Sequence, residues 1–374
     1  MICRGRLCLV LVAATSVMLV GASLYSRAFS GEITGFFRIG DVLPLSPYLN
    51  PAEVMIHENE IGYDGQFFLS LALDPFLTNS HTIESLDYPR YRIGRLLFPL
   101  LGYGGSLGNR AVIPYALVLI NGLSILAMVL VLSELWYANG SGEQSSLLVL
   151  CIPGIWIAFS FSTAEILSSL LVIASYVAYR RGHANTSSLL AGLACLAKEV
   201  TLIFWLASLI AALLEENRKR IVSLLLSIVP FVAFRVFLFI AFRAELDSEL
   251  DNFSWPLVGH MNRLQWWLAG DNLTKNEVAF YGVLLFAVIL LISKLPRTWQ
   301  IDKILFLSSI GYLLIFIQST TKILDYHVSY NRVLVMIYVL VLLISSGSKF
   351  SRVDKAFWVL SGLASLRFVY WYAR

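Results

Sequence analysis

Charge is what this chain has least of. Only 14% of its 374 residues are Asp, Glu, Lys or Arg, while 58% are hydrophobic; soluble domains carry about 25% charged residues. That balance excludes a fold surrounded by water, and the mean hydropathy of +0.74 points to lipid. Cysteine is scarce too. Cys3, Cys8, Cys151 and Cys195 fall in or beside apolar runs without metal-ligand spacing, so neither a disulfide framework nor a thiolate metal site is expected. The chain has no Walker loop, no GxSxG elbow and no HExxH helix, which removes familiar routes to nucleotide, acyl and zinc chemistry. The modest basic surplus, 28 Lys and Arg against 24 Asp and Glu, forms no stripe with interleaved aromatics. Nucleic acid is therefore not an expected partner. Short alternating segments, the mark of a membrane β-barrel, are also missing.

What remains is a series of apolar runs. Candidate spans lie at about 7–27, 111–137, 144–160, 163–179, 186–197, 200–214, 220–242, 278–293, 303–318, 329–346 and 355–371. The expectation is an all-α polytopic membrane protein of roughly ten or eleven transmembrane helices, one transmembrane domain over 1–374, because lipid cannot satisfy open backbone groups. Arg4 and Arg6 precede the apolar stretch from Leu7 to Tyr25 with no small-x-small cleavage site before Arg27, which favours a retained signal-anchor helix. Placing the N-terminus in the cytoplasm gathers Arg180 and Arg181, Arg218–Arg220, Lys294 with Arg297 and Lys303, and Lys349 with Arg352 and Lys355 in the short loops on the same side. That distribution obeys the positive-inside rule. The two long loops, 28–110 and 243–277, then fall on the non-cytoplasmic side.

The first loop is unusually long, and such connections tend to be functional. Acidic residues dominate it, and Gly65–Leu73 reads as a short amphipathic helix lying in the membrane interface. Just before that helix stands Gly62-Tyr63-Asp64-Gly65-Gln66. A carboxylate between glycines can be approached closely by a substrate. Asp64 could act as a general base, hold a divalent cation (Mg2+ or Mn2+), or simply cap the following helix. Tyr63 and Gln66 would support it. Further along, Arg90, Arg92 and Arg95 lie on the side where topology does not require cations. They could grip phosphate, or pair with the loop's carboxylates or with lipid headgroups.

Glu165, Lys198, Glu199 and Arg235 sit in or beside apolar spans, where ionisable groups are expensive and mark function by default, though mutual ion pairing would also explain them. Asp325, His327, Tyr330 and Arg332 fall at the outer start of a late helix. The topology places all these groups on one face. In the second loop, Trp255, Trp266 and Trp267 either stack on a sugar or anchor the interface.

The strings GYDGQFF, ALDP and YRIGRLLFPLLG, with Leu196-Ala197-Lys198-Glu199, resemble a group of bacterial multi-pass proteins assigned to the GT-C glycosyltransferases. These are relatives of the polyprenyl-phosphate-mannose-dependent mannosyltransferases. The likeness covers about residues 36–105, and Gly94 stands where many members have glutamine. The resemblance implies a GT-C-like glycosyltransferase of the bacterial inner membrane. It would move a sugar from a polyprenyl-phosphate donor, on the non-cytoplasmic face, to a cell-envelope glycan or glycolipid. It implies Asp64 as base or metal contact with Asp41 as a second acidic residue, and Arg92 and Arg95 at the donor phosphate. Lys198 and Arg332 are the further cations placed at that phosphate by the convergence of charge on one face. Two other classes stay open. A transporter or flippase for a lipid-linked glycan needs a polar path across the whole membrane. A glycan polymerase or ligase would carry its basic residues late, yet 243–277 has only Arg243, Arg263 and Lys275 against Asp247, Glu249, Asp251, Asp271 and Glu277.

Overall fold

The computed structural model describes residues 4–140, 142–242, 252–270 and 274–374. Cys3 and much of the second long loop, including Arg243, Asp247, Glu249, Asp251 and Asp271, lie outside the described residues. The chain is 76% helix and 2% strand. Its strand content includes a parallel pair of two-residue strands, Ile39–Gly40 beside Ile56–His57, inside the first long loop.

Among the described residues, four helices are long and apolar enough to cross a membrane: Gly5–Ala28, Ile113–Ala138, Arg218–Ala241 and Lys275–Ile301. The number rises to six if two bent pairs each count as one span. One pair is Glu143–Cys151 with Pro153–Ser160, bent by 59°; the other is His327–Val333 with Val335–Ser345, bent by 46°. The first bend has a local cause. Pro153 lacks an N–H and disfavours helical geometry in the residue before it, and Ile152 is extended at φ −84°, ψ 114°. The ten or eleven spans expected from apolar runs therefore reduce to four to six by length and composition. Ala184–Ala197 and Lys303–Gln318, with 14 and 16 residues, reach only about 21–24 Å at 1.5 Å per residue, short of a core about 30 Å thick.

Most of the core forms one cluster, with a smaller one around Phe67, Leu71, Leu86, Ile93 and Leu238, and Ile337–Leu342 is buried at every position. The first loop does not splay away from the bundle. Helix Asp64–Leu73 is buried along its whole length from Gly65 to Leu73, so it is an internal element and not the amphipathic interfacial helix that its sequence suggests. Gly65 makes this possible: a Cβ there would stand 2.2 Å from the Phe161 carbonyl oxygen. That glycine serves packing against the Pro153–Ser160 segment's end, not substrate approach. Gln66 also proves structural. Its Oε1 accepts from the Gly40 N–H at 2.8 Å, and its Nε2 donates to the Ile61 carbonyl at 3.2 Å.

Candidate functional site: a buried acid–arginine cavity

Elements far apart in sequence bring charge to one place. Helix Asp64–Leu73 offers its first residue, and the turn Pro89–Ile93 with Gly94 and Arg95 follows from the same loop. Glu165 opens the helix Glu165–Arg180; Lys198 and Glu199 occupy the break between Ala184–Ala197 and Leu202–Leu214. His327–Val333 supplies Arg332.

Asp64 is the hub. Its Oδ1 lies 2.9 Å from Arg92 Nη1, and its Oδ2 lies 2.6 Å from Arg332 Nη1 and 3.4 Å from Arg95 Nη1. It does not cap its helix: Tyr63 holds the N-cap position, without a side-chain bond. The first helical turn nevertheless favours an anion through its unpaired N–H groups. Burial opposes charge on Asp64, but Arg332, Arg92 and Arg95 outweigh it and hold the carboxyl well below the usual carboxylate range.

Each guanidinium also has a second acidic partner. Arg92 donates to both Asp87 oxygens, at 2.6 and 2.7 Å, and Arg95 to both Glu199 oxygens, at 2.9 and 2.7 Å. Arg332 donates to Glu165 Oε1 at 2.6 Å and to the Tyr63 hydroxyl at 3.0 Å. Lys198 Nζ completes the network on Glu165 Oε1 at 2.6 Å. Aromatic faces cover the cations: Arg92 lies over Phe67 at 4.3 Å, Arg95 over Tyr91 at 4.1 Å and Arg332 over Tyr63 at 4.7 Å. Arg95 also donates to the Tyr91 hydroxyl. Burial pushes the Tyr91 phenol up to about 12, so it stays neutral.

These groups line a cavity of about 480 Å3, within the range of small-ligand sites. One wall is charged. The other is apolar, formed by Val200, Leu202, Ile203, Leu206, Ile315 and Val333. Among the described residues, six cations (Arg92, Arg95, Lys198, Arg235, Lys322, Arg332) face four carboxylates (Asp64, Asp87, Glu165, Glu199), a surplus of two positive charges. Among the described residues, Arg235 and Lys322 have neither ion pair nor hydrogen bond. Their contacts are with rings, Phe231 at 5.5 Å and Tyr88 at 5.0 Å. Arg235 lies against Gly94, where a Cβ would stand 2.3 Å from its Nη1. Glu165 Oε2 is buried without a hydrogen-bond partner, leaving an acceptor open to a ligand hydroxyl.

Most sequence-expected residues converge here: Tyr63, Asp64, Arg92, Arg95, Glu165, Lys198, Glu199, Arg235 and Arg332 all line the cavity. Three do not. Asp41 is exposed outside it, so it is no partner to Asp64. Asp325 is exposed at the end of the short helix Thr321–Leu324 and also lies outside the lining. His327 turns into a separate buried cluster, its Nδ1 2.5 Å from Glu277 Oε1, while Arg263 Nη2 holds the other Glu277 oxygen at 2.6 Å. Among the tryptophans, Trp255 is 83% exposed and Trp267 packs on Tyr281; Trp255, Trp266 and Trp267 are all absent from the lining.

The residues missed by sequence reasoning are Asp87, Tyr91 and Lys322. Asp87 was recoverable: it precedes Arg92 by one turn and a half, within reach of a bidentate pair. Lys322 carried no such signal. A divalent cation does not fit this donor set. Both Asp64 oxygens already accept from arginines, and the cationic surplus repels a metal ion. Among the described residues, no three His, Cys, Asp or Glu side chains group as metal ligands. No protein-family model, no curated protein and no solved structure matches this chain.

Proposed function

We propose that this protein is a membrane glycosyltransferase that takes a sugar from a polyprenyl-phosphate donor and transfers it to a cell-envelope glycan or glycolipid. The observation that carries this reading is the pair of walls: surplus cations face an apolar surface across one cavity. An amphiphile with a phosphate head and a hydrocarbon tail matches both. The cations first expected at the phosphate (Arg92, Arg95, Lys198 and Arg332) each already have a carboxylate. Arg235 and Lys322 are the better phosphate ligands, since an anion there displaces only water.

In the reaction, the acceptor hydroxyl oxygen bonds to the anomeric carbon as the bond from that carbon to the phosphate oxygen breaks. The phosphate leaves with the electron pair, and the hydroxyl proton passes to a carboxylate. Asp64 is ionised and weakly basic while three arginines hold it. An entering phosphate competes for those arginines, and each one drawn away makes Asp64 a stronger base. Lys322 and Arg235 stabilise the leaving charge.

Supporting topology follows the sequence: N-terminus in the cytoplasm, cavity on the non-cytoplasmic face of a bacterial inner membrane, and the shorter helices acting as tilted or broken spans. Buried apolar residues from Ile337 to Leu342 lie beyond the cavity, which supports a one-sided site over a through-going transport path. The test is transfer by purified protein from polyprenyl-phosphate sugars, mannose first, to envelope acceptors. Asp64→Asn is expected to lower turnover about 100-fold or more, the usual loss of a general base. Full activity in that variant, or no transfer from any such donor, ends the proposal.

A further inference from the structure

Glu165–Arg180, which brings Glu165 to the cavity, ends in a second basic region to which two further helices contribute. Glu165–Arg180 closes on Arg180, Lys275–Ile301 runs through Lys294 and Arg297, and Val335–Ser345 leads into Ser348 and Lys349. From Glu165 to Arg180 the helix rises about 22 Å, so this region lies a bundle's length from the acid–arginine cavity.

Two hollows adjoin there, sharing Ser293, Lys294, Arg297 and Ser348. The inner one, about 160 Å3, reaches Arg180 and Asp302; the outer is an open groove of about 600 Å3 that reaches Lys349 and Asp354. Their cations are of two kinds. Lys294 is tied to Asp354 at 2.7 Å, and Arg180 to Asp302 at 3.7 Å. Asp302 is fixed further by the Tyr176 hydroxyl, which donates to it at 2.8 Å. Arg297 and Lys349 are exposed and, among the described residues, have no ion pair. Among the described residues, the outer groove thus presents Lys294, Arg297 and Lys349 against Asp354, a surplus of two positive charges.

Orienting a chain in a membrane requires only that cations remain solvated on one side. It does not require that two unpaired ones flank a single groove whose floor is pinned by ion pairs. We infer that this groove binds a phosphate monoester or diester, gripped between Arg297 and Lys349 with Lys294 beneath. Arginine matches two phosphate oxygens at once, and lysine adds a point charge. The same chemistry is offered by an anionic phospholipid headgroup of the adjoining leaflet and by a free phosphate compound in solution.

Two arms separate those sources. The full-length protein is incubated in detergent with equal amounts of phosphatidylglycerol and phosphatidylcholine, and retained lipid is counted by native mass spectrometry. In parallel, the protein in phosphatidylcholine nanodiscs is dialysed against labelled inorganic phosphate. Preference for phosphatidylglycerol identifies a lipid site; phosphate uptake without that preference identifies a soluble ligand. Either way, Arg297→Ala and Lys349→Ala are each expected to weaken binding about fivefold and together about 25-fold, from about 1 kcal/mol per cation. Neither residue holds an ion pair, and the single variants read the effect separately. Arg110→Ala, at an exposed cation outside both hollows and the cavity, is the control and should leave binding unchanged. The inference fails if neither ligand is retained, if retention survives the Arg297 and Lys349 substitutions, or if the Arg110 control lowers it as much as they do.

Discussion

Glu165→Gln should destabilise this protein more than Asp64→Asn, although Asp64 touches more arginines. The reason is what each substitution leaves behind. Arg92, Arg95 and Arg332 retain Asp87, Glu199 and Glu165 when Asp64 is neutralised. Lys198 has no such reserve. It is 4% exposed, and its ion pair is to Glu165 Oε1 at 2.6 Å. Removing one partner of a buried pair costs about 3–5 kcal/mol, because the survivor keeps its charge without its water. Losing one charged hydrogen bond among several costs about 1.5–3 kcal/mol. With an unfolding entropy of about 2.1 cal/mol/K per residue over this chain, 1 kcal/mol corresponds to about 1.3 °C. Glu165→Gln is therefore expected to lower the melting point by about 4–6 °C and Asp64→Asn by about 2–4 °C, read by intrinsic fluorescence in detergent. Adding Lys198→Met to Glu165→Gln should restore most of the loss, since an apolar pair often replaces a buried ionic one without penalty. Equal losses from the two carboxylate variants, or no recovery in the double variant, would refute the reasoning about stranded charge.

Two further outcomes follow from the same geometry. Asp64 has its folded-state pKa below the unfolded value, so its stabilising contribution is present above about pH 4 and lost as acid protonates the folded carboxyl; the melting point should stay flat from pH 8 to 5 as far as Asp64 is concerned, and the acid-side fall should be shallower in Asp64→Asn than in the parent. Gly94→Ala places a methyl 2.3 Å from the flexible end of Arg235, with the Tyr91 carbonyl oxygen next at 3.2 Å, so it should leave the melting point within about 1 °C yet weaken donor use, a rise in KM measured in the transfer assay.

Composition and periodicity carried the helical, apolar character of the chain, because an apolar run without water has one backbone solution. The clustering of ionisable residues was legible for a related reason: a charge in an apolar run must find a partner, and Glu165, Lys198, Arg332 and Asp64 find one another. Span number was not legible, since the break before Pro153 and the bend at Leu334 turn continuous apolar runs into angled pieces. Nor was the placement of Asp41, Asp325 and His327, which share the charge and neighbourhood of true cavity residues but point elsewhere. Only tertiary packing decided which cations are consumed and which remain free. Arg92 and Arg235 look alike along the chain; one is held by Asp64 and Asp87, the other lines the cavity with no ion pair among the described residues. Pairing is a matter of distances within about 4 Å between side chains up to 268 residues apart, and no local pattern in the sequence encodes those.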